Sequence, residues 1–409
     1  MKLLKVDSVE ETKRKIDHYF EGIYLEEEYI DIAEALDRIA AEDLYAQLEV
    51  PEFSRATVDG YAITAKDSYG ASESLPTFLQ IIGKVEMGET AAHKVTPGKA
   101  IYVPTGGMLP QGADAMVMIE YVESLDDETI AVYKAVAPGE GVIQKGEDIQ
   151  KGEQILSKGR RLKPQDIGML AAVGIYQIKV FRKPRVFVIS TGDELVHPKE
   201  EIKPGQIRDI NTYTLSAMAL NGGAVLAGQV IVKDDFLRLQ DIVKNAIAKS
   251  DVVVISGGSS VGAKDVTAQV IDSLGEPGVF IHGVAVKPGK PTIIGRVDRT
   301  AVFGLPGHPV SAMVIYKVFV DYILQKLQQF NEVQEIVIQG ICDANIHASP
   351  GKETYQMVQL EKRDDKYIVK PIYGKSGAIS LMAEAHGYIK IHGNQEGIHK
   401  GEKVEVILL

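Results

Sequence analysis

Residues 251–265, DVVVISGGSSVGAKD, combine an apolar run with a loop whose residue types suit the binding of an anion. The β-branched run 252–255 is typical of a buried parallel strand, and the pattern that follows Asp265 is helical. Free backbone N–H groups at a helix N-terminus bind anions, and glycines let the chain come close to them. The candidate anion-binding residues are Ser256, Gly257, Gly258, Ser259 and Ser260. A structural turn with Asp265 as the helix cap fits the same letters.

Two further loops follow predicted strands and carry charged groups. VISTGDELV places Thr191, Gly192 and Glu194 at the carboxyl end of a strand, where ligands bind in open parallel sheets. This loop and the glycine-serine loop are therefore expected to face one pocket. KPGKP brings Lys287 and Lys290 into a turn that prolines stiffen, which suits the capture of an anion. An acidic surface turn and a solvated basic turn remain the alternatives.

Polar residues on other predicted loops extend this set. Asp59 lies in SRATVDGYAI, Thr105 in YVPTGGMLP and Asp148 in QKGEDIQKGE. Turn formation accounts for each of them singly. Together, carboxylates without clustered His or Cys favour a hard cation such as Mg²⁺, which proteins commonly bind along with substrate phosphates. His308, in GLPGHPV, fits a structural role as well as a ligand-binding one.

Four parts of the chain are expected to position these loops, in a multi-domain fold that combines α/β and β domains. From Lys183 onward, apolar strands alternate with amphipathic helices, which predicts a parallel, doubly wound α/β domain. The N-terminal part is expected to hold two helices, one after the capping box of Ser8 and Glu11 and one over DIAEALDRIAAEDL. The predicted domains are a helical or mixed linking domain (residues 1–50 and 138–180), a small β domain (51–137), the α/β domain (181–328) and a C-terminal β-barrel or sandwich (329–409).

Composition limits the classes of function. The 409 residues exceed one compact core, and the net charge of −11 argues against a nucleic-acid-binding surface. No apolar run is long enough to cross a bilayer, and the first residues turn polar before a signal peptide can develop, so we expect no membrane association. Cys342 is the single cysteine, which excludes intrachain disulfides and suits a cytoplasmic location.

Several of these loops, taken in order, resemble one known family. RATVDGYA, PTGGMLPQGADAMV, KGEDI, STGDEL, SGGSSVGAKD, KPGKP and GLPGHPVSA are similar to the motifs of the molybdopterin molybdenumtransferase family, which includes the E domain of gephyrin. The resemblance covers nearly the whole chain. The family often has Asn where this chain has His308 and Met where it has Val58.

The resemblance implies an activity as well as a fold. It implies a molybdopterin-binding α/β domain within a cytosolic homodimer whose site is shared between subunits. The implied substrates are adenylylated molybdopterin and molybdate: the metal enters the dithiolene, the pyrophosphate link is hydrolysed with the help of Mg²⁺, and AMP leaves. Contacts with the preceding adenylyltransferase and with recipient molybdoenzymes are also implied.

The resemblance assigns roles residue by residue. Asp59, Asp148, Glu194 and Asp265 are the implied catalytic residues. Glu194, Asp234 and Asp265 are the implied metal ligands, with Asp235 an alternative to Asp234 as the cap of the following helix. The residues expected to bind substrate or anion are Thr105, Thr191, Gly192, Ser256, Gly257, Gly258, Ser259, Ser260, Lys287, Lys290 and Ser376.

Two alternatives stay open. One is an enzyme that adenylylates molybdopterin with ATP, although that reaction does not need the long additions on both sides of the α/β domain. The other is a non-catalytic scaffold like that suggested by gephyrin. Loop carboxylates and lysines concentrated at strand ends favour an enzyme over a scaffold.

Overall fold

The computed structural model of the chain describes residues 6–257, 261–331 and 335–409, and leaves out the side chains of residues 261–265. Gly258, Ser259 and Ser260 of the predicted anion loop therefore lie outside the described residues. For Asp265 only the backbone is described.

The chain begins with α1 (Val9–Tyr19), which starts at the predicted capping box. The Glu11 N–H donates to Ser8 Oγ over 3.1 Å, and the Ser8 N–H donates to Glu11 Oε2 over 2.8 Å. Ile16 and Phe20 are fully buried in the same core as Phe303 of the α/β sheet. The helix is thus packed against a part of the chain almost 300 residues away.

Thirteen short strands and a second helix make up the described part of residues 6–181. They are β1 (Glu27–Asp31), β2 (Ile39–Ala40), β3 (Leu44–Tyr45), β4 (Arg55–Ala56), β5 (Gly60–Ile63), β6 (Thr77–Lys84), β7 (Lys99–Val103), β8 (Ala115–Met118), β9 (Val122–Ser124), β10 (Thr129–Val132), β11 (Val142–Ile143), β12 (Gln154–Leu156), α2 (Pro164–Ala172) and β13 (Gln177–Phe181). Helix α2 begins at Pro164, a residue that suits the first turn of a helix. Strands β8-β5-β7-β6-β10-β9 form one sheet, which lies within the stretch where β structure was expected.

The prediction of a second N-terminal helix, over DIAEALDRIAAEDL, is wrong. Over that stretch the chain forms a short 3₁₀ turn, Ile32–Glu34, followed by β2 and β3. Asp37 has φ of 61°, which no α-helix accommodates. The backbone instead pairs with distant segments: the Asp37 N–H donates to Leu162 O over 2.9 Å, and β2 pairs antiparallel with β13.

The α/β part contains β14 (Arg185–Thr191), β15 (Leu195–Val196), β16 (Ile207–Arg208), α3 (Asn211–Asn221), β17 (Val225–Val232), α4 (Phe236–Ile247), β18 (Val252–Gly257), α5 (Val261–Leu274), β19 (Pro277–His282), β20 (Val286–Lys287), β21 (Ile293–Val297), β22 (Thr300–Leu305), α6 (Pro309–Ile315) and α7 (Asp321–Leu327), the last two joined by a π-helical turn, Tyr316–Val320. Its main sheet has the order β17-β14-β18-β22-β21-β19. The first four strands are parallel, as predicted, and β21 and β19 add an antiparallel edge.

Burial on both faces explains the unbroken apolar run in β18. Val252 and Val254 belong to the hydrophobic core on one face of the sheet, and Val253 and Ile255 to the core on the other. Helix α5 begins at Val261, so Asp265 lies within the helix. The expectation that Asp265 opens or caps this helix is therefore wrong.

The C-terminal part forms a closed barrel. Its elements are β23 (Val337–Cys342), β24 (Ile346–His347), β25 (Glu353–Arg363), β26 (Lys366–Pro371), α8 (Ser380–Ala383), β27 (Gly387–Ile391), β28 (Gly397–Ile398) and β29 (Lys403–Leu408). The ring runs β25-β26-β23-β29-β27 and returns to β25, which confirms the barrel-like prediction. Among the described residues, no helix combines the length and apolarity needed to cross a membrane.

Candidate active site

The two predicted ligand loops begin side by side. Thr191 and Gly257, the last residues of β14 and β18, are paired in the parallel ladder. The strand order reverses between these two strands, because β14 connects to β17 on one side and the chain then crosses back to β18. A Cβ on Gly257 would lie 2.2 Å from Thr191 O, so only glycine fits there. The sequence therefore places both loops at a topological switch point, where open α/β sheets bind ligands.

Four predicted residues meet on the β14 side of this crevice. Thr191, which is buried, donates its hydroxyl proton to Asp234 Oδ1 over 2.6 Å. The Glu194 carboxylate folds over the backbone of Gly192, since a Cβ at Gly192 would lie 2.8 Å from Glu194 Oε2. Asp234 and Glu194 thus extend from neighbouring loops with exposed side chains.

Adjacent aspartates after β17 have separate roles. Asp235 is the N-cap of α4, because its Oδ1 accepts the Arg238 N–H over 2.7 Å. Asp234 Oδ1 instead accepts the hydroxyl proton of Thr191. Of the two alternatives for the helix cap, the structure shows Asp235, and Asp234 lies beside Thr191.

Sequence reasoning missed Asp209 and Asn211, which flank the start of α3. Asn211 Nδ2 donates to Ser256 Oγ and to Gly307 O, each over 2.8 Å, and so ties the end of β18 to the loop after β22. The Asp209 side chain accepts the Thr212 N–H over 3.2 Å. Both residues are buried. The available signal was the polar Asp-x-Asn at the start of an apolar helix, which a helix cap explains equally well.

The loop with the two lysines is held between the α/β part and the barrel. Backbone pairing of β20 with β25 aligns Lys287 with Thr354. Gly289 has φ of 124° and a Cβ there would lie 2.5 Å from Ile315 Cδ1, so the turn requires glycine. The Lys287 and Lys290 side chains are exposed and form no ion pair with any residue in the described ranges. Both cations are available to an anionic ligand.

His308 and Ser376 lie together, although 68 residues separate them in sequence. Ser376 Oγ and His308 Nδ1 are 3.0 Å apart, and the Val310 N–H donates to Ser376 O over 3.1 Å. Val310 is in the first turn of α6, which begins at Pro309. The barrel loop that carries Ser376 therefore contacts the loop after β22.

Residues predicted in the N-terminal half form a separate group. The Thr105 N–H donates to Asp59 Oδ1 over 2.8 Å, so two of these residues are neighbours. Asp148 is exposed on the loop after β11, and β11 pairs with β4 near Asp59. No hydrogen bond or ion pair between described residues joins Asp59, Thr105 or Asp148 to the group around Thr191.

The donor set at the switch point suits a hard cation. Asp234 and Glu194 supply exposed carboxylate oxygens, which are the ligands that Mg²⁺ prefers. Within the described ranges no three carboxylate, His or Cys side chains gather closely enough to form a metal site by themselves. A cation there would depend on substrate oxygens or on the Asp265 side chain, which is not described.

Comparison with known proteins covers almost the entire chain. Residues 7–174 match the MoeA N-terminal region (domain I and II), residues 187–326 a probable molybdopterin binding domain, and residues 339–409 the MoeA C-terminal region (domain IV). A putative molybdopterin biosynthesis protein of Methanocaldococcus jannaschii is 36% identical over 389 residues, which is 93% of this chain and 92% of that protein. The molybdopterin molybdenumtransferase of Bacillus subtilis is 29% identical over 98% of this chain and 94% of its own length.

Solved structures agree with this result. A crystal structure of the molybdopterin biosynthesis MoeA protein from Pyrococcus horikoshii is 40% identical, has a TM-score of 0.83, and matches over 99% of both chains. A second structure of MoeA from that organism gives a TM-score of 0.85 at 32% identity, over 99% of this chain and 100% of that one. Since the three matched regions follow one another in order and the likeness runs from end to end, the chain belongs to the MoeA family of molybdopterin biosynthesis proteins.

Proposed function

We propose that this chain is a molybdopterin molybdenumtransferase, which inserts molybdate into adenylylated molybdopterin and releases AMP. The observation that carries the proposal is the pairing of Thr191 and Gly257 at the switch point, with Asp234 and Glu194 beside them. Full-length similarity to proteins named for this activity supports it.

The residues of the crevice suit the breaking of a phosphoanhydride. One water is consumed, the bond between phosphorus and the bridging oxygen breaks, and the negative charge on the phosphates must be balanced as it shifts. Lys287 and Lys290 are exposed and unpaired among the described residues, so they can attract molybdate or phosphate oxygens. Glu194 is placed over Gly192 at the mouth of the crevice, where its carboxylate can orient the water.

We assign Mg²⁺ to the same place, with Glu194, Asp234 and Asp265 as the residues that would hold it. Bound there, the ion would neutralise phosphate charge during hydrolysis. The hydrogen bond from Thr191 fixes one oxygen of Asp234 and leaves the other available, which supports this assignment.

The second group of predicted residues supports a site shared between two subunits. Asp59 and Thr105 are hydrogen-bonded to each other, yet no described contact joins them to Thr191 or Asp234 of the same chain. A homodimer in which Asp59, Thr105 and Asp148 approach the crevice of the partner would bring the two groups together.

Several broader expectations are kept as part of the proposal. They are the four-domain division given above, a cytoplasmic location, transient contacts with the adenylyltransferase and with recipient molybdoenzymes, and no role in nucleic-acid binding. The net charge of −11 supports the absence of a nucleic-acid-binding role, and the single, buried Cys342 suits a cytoplasmic location.

AMP release tests the proposed activity directly. Purified chain is supplied with adenylylated molybdopterin, molybdate and Mg²⁺, and AMP is measured together with activation of a cofactor-free molybdoenzyme. We expect both signals, and we expect Glu194→Gln to remove them while the exposed neighbour Glu201→Gln keeps them. AMP at the background level would reject the proposal. ATP-dependent adenylylation of molybdopterin would favour the adenylyltransferase alternative, and neither reaction would favour a scaffold.

A further inference from the structure

The side chain of Asn211, the first residue of α3, bonds to other parts of the chain and not to its own helix. It is 8% exposed, and Nδ2 donates to Ser256 Oγ and to Gly307 O, each over 2.8 Å. Asn is a common N-cap residue, but here the cap position belongs to Ile210, which forms no side-chain cap. Asn211 therefore joins the end of β18 to the loop after β22.

The orientation of the Asn211 amide follows from its partners. A backbone carbonyl only accepts hydrogen bonds, so the amide nitrogen must face Gly307 O. Oδ1 then points the other way, where it is buried without a hydrogen-bond partner among the described residues. The nitrogen alone thus makes the connection, and a leucine of nearly the same shape would lack it.

The loop after β22 lies directly against the end of β18. Gly307 is so close to Gly257 that a Cβ at position 307 would be 3.7 Å from Gly257 Cα. Ser256 donates its hydroxyl proton to Pro306 O over 3.4 Å, which adds a second, longer link. Asn211 bonds to both sides of this contact, and so sets the start of the predicted anion loop relative to the loop after β22.

The loop after β22 also reaches the barrel. His308 follows Gly307, and its Nδ1 lies 3.0 Å from Ser376 Oγ. His308 thus joins the barrel to Gly307, and Asn211 joins Gly307 to Ser256. An unbroken series of direct contacts therefore runs from the barrel to the switch point, and packed or hydrogen-bonded series of this kind can carry coupling between two sites.

Other polar residues at the start of α3 have different neighbours. The Thr212 hydroxyl donates to Ser190 Oγ over 2.8 Å, and both residues are buried. This bond joins α3 to β14 and lies outside the contact between Gly257 and Gly307. Asp209, just before the helix, lines a cavity of about 490 Å³ on the side of β17. Thr212 therefore offers a matched comparison for Asn211, with a buried bond in the same turn that leads elsewhere.

We propose that Asn211 is a positioning residue, which couples the barrel contact at His308 to the predicted anion loop that begins at Ser256. The inference rests on the proposed function, in which this loop binds the phosphate end of the substrate. While the amide is in place, the contact with the barrel holds Gly307, and through it the start of the anion loop, in the geometry that binds substrate. Without the amide nitrogen, the barrel contact loses its effect on the loop.

A double-mutant cycle on the full chain tests this coupling. His308→Ala should raise the KM for adenylylated molybdopterin about 3- to 10-fold when Asn211 is present. Asn211→Leu should raise the KM at least as much, and His308→Ala should then add less than about 2-fold. Additive effects of the two substitutions would overturn the coupling, and so would an unchanged KM in His308→Ala.

The matched control is Thr212→Val, which removes a buried hydrogen bond from the same turn of α3. In this background His308→Ala should keep its full effect on the KM. Loss of the effect here as well would show a general loosening of α3, and would overturn a specific role for Asn211.

Hydrogen exchange gives a second reading that needs no turnover. We expect His308→Ala to speed amide exchange in residues 252–257 when Asn211 is present, and to add nothing once Asn211→Leu is introduced. If Asn211→Leu does not fold, Asn211→Ser replaces it in both measurements, because its single hydroxyl proton cannot serve both acceptors. Exchange in 252–257 that ignores His308→Ala would overturn the coupling.

The two proposals fail in different ways. A chain that shows the coupling by hydrogen exchange but releases no AMP would reject the proposed function alone. A chain that releases AMP, with additive effects of the substitutions at Asn211 and His308 on the KM and on exchange, would reject the coupling alone.

Discussion

Thr191 Oγ1 and Asp234 Oδ1 are 2.6 Å apart, and this hydrogen bond joins the end of β14 to the loop after β17. Thr191 is 4% exposed, so the bond is anchored in the sheet and reaches outward to a carboxylate. The next residue, Asp235, turns the other way and caps α4. Two adjacent aspartates are therefore separated by function, one oriented by the sheet and one serving a helix.

This separation predicts opposite phenotypes for the two residues. Asp234→Asn should reduce the rate of AMP release about 10- to 100-fold at an unchanged melting temperature, as expected when an oriented carboxylate is lost near a metal or phosphate. Asp235→Ala should destabilise the chain by about 1 kcal/mol through loss of the cap, with AMP release largely retained. Calorimetry and the AMP assay on both variants provide the comparison. Equal activity of the two variants would contradict it.

The distribution of predicted residues into two unconnected groups predicts complementation. Asp59→Ala and Glu194→Gln should each be inactive as pure proteins. After the two are mixed and allowed to exchange subunits, half the dimers are mixed, and each mixed dimer has one intact site. About a quarter of the wild-type AMP release should then return.

The control for complementation is a mixture of Glu194→Gln with Asp234→Asn. Both substitutions lie in the crevice of one chain, so no exchange of subunits assembles an intact site. Recovery in this mixture, or none in the first, would contradict a shared site. Light scattering on the wild-type chain provides the independent reading of its oligomeric state.

The contact between His308 and Ser376 predicts an effect on substrate binding. Removing one neutral hydrogen bond costs about 0.5–1.5 kcal/mol, so His308→Ala should raise the KM for adenylylated molybdopterin about 3- to 10-fold with little change in kcat. Ser376→Ala should do the same, and the double variant should equal either single one, since both remove one interaction. His347→Ala, an exposed histidine on the barrel, is the control. Additive effects of the two substitutions would mean that the residues act independently.

The sequence predicted the sheet and its two loops because those signals are local. The run 252–255 is apolar at every position, and the residues are buried on both faces of the sheet. The capping box at Ser8 depends on residues three apart and is present as predicted. Periods and turns of this kind are read from neighbouring residues alone.

Long-range pairing caused the errors. Residues 31–44 have a helix-like pattern. Their backbone groups instead form hydrogen bonds with Leu162 and with β13, which lie more than 100 positions away in the sequence. Asp209 and Asn211 were missed for a related reason. Their importance arises from what surrounds them, a cavity and the end of β18, and neither surrounding is local in sequence.

The ion pair between Arg182 and Asp251 should make the stability of the folded chain decrease at acidic pH. Burial alone would raise the pKa of Asp251, but the hydrogen bonds from Arg182 and from the Arg185 backbone outweigh it and lower the pKa below its usual value of 3.8. The two Arg182 nitrogens approach the two carboxylate oxygens at 2.7 and 2.8 Å, and the Asp251 side chain is only 12% exposed. This pair joins the end of β13 to the start of β18.

A carboxyl group with a lowered folded pKa stabilises the folded chain above its unfolded pKa, and this contribution disappears as the pH falls through the folded value. Asp251→Asn should therefore lower stability by about 1.5–3 kcal/mol at pH 7, since Arg182 loses a charged hydrogen-bond partner and keeps only the more exposed Glu26. The difference in stability between wild type and variant should narrow as the pH falls below 3.8. Melting temperatures from pH 7 to pH 3 measure this gap, with the exposed Asp241→Asn as the matched control. A gap that stays constant across this range would show that the charge of Asp251 does not contribute, and that the loss at pH 7 comes from packing.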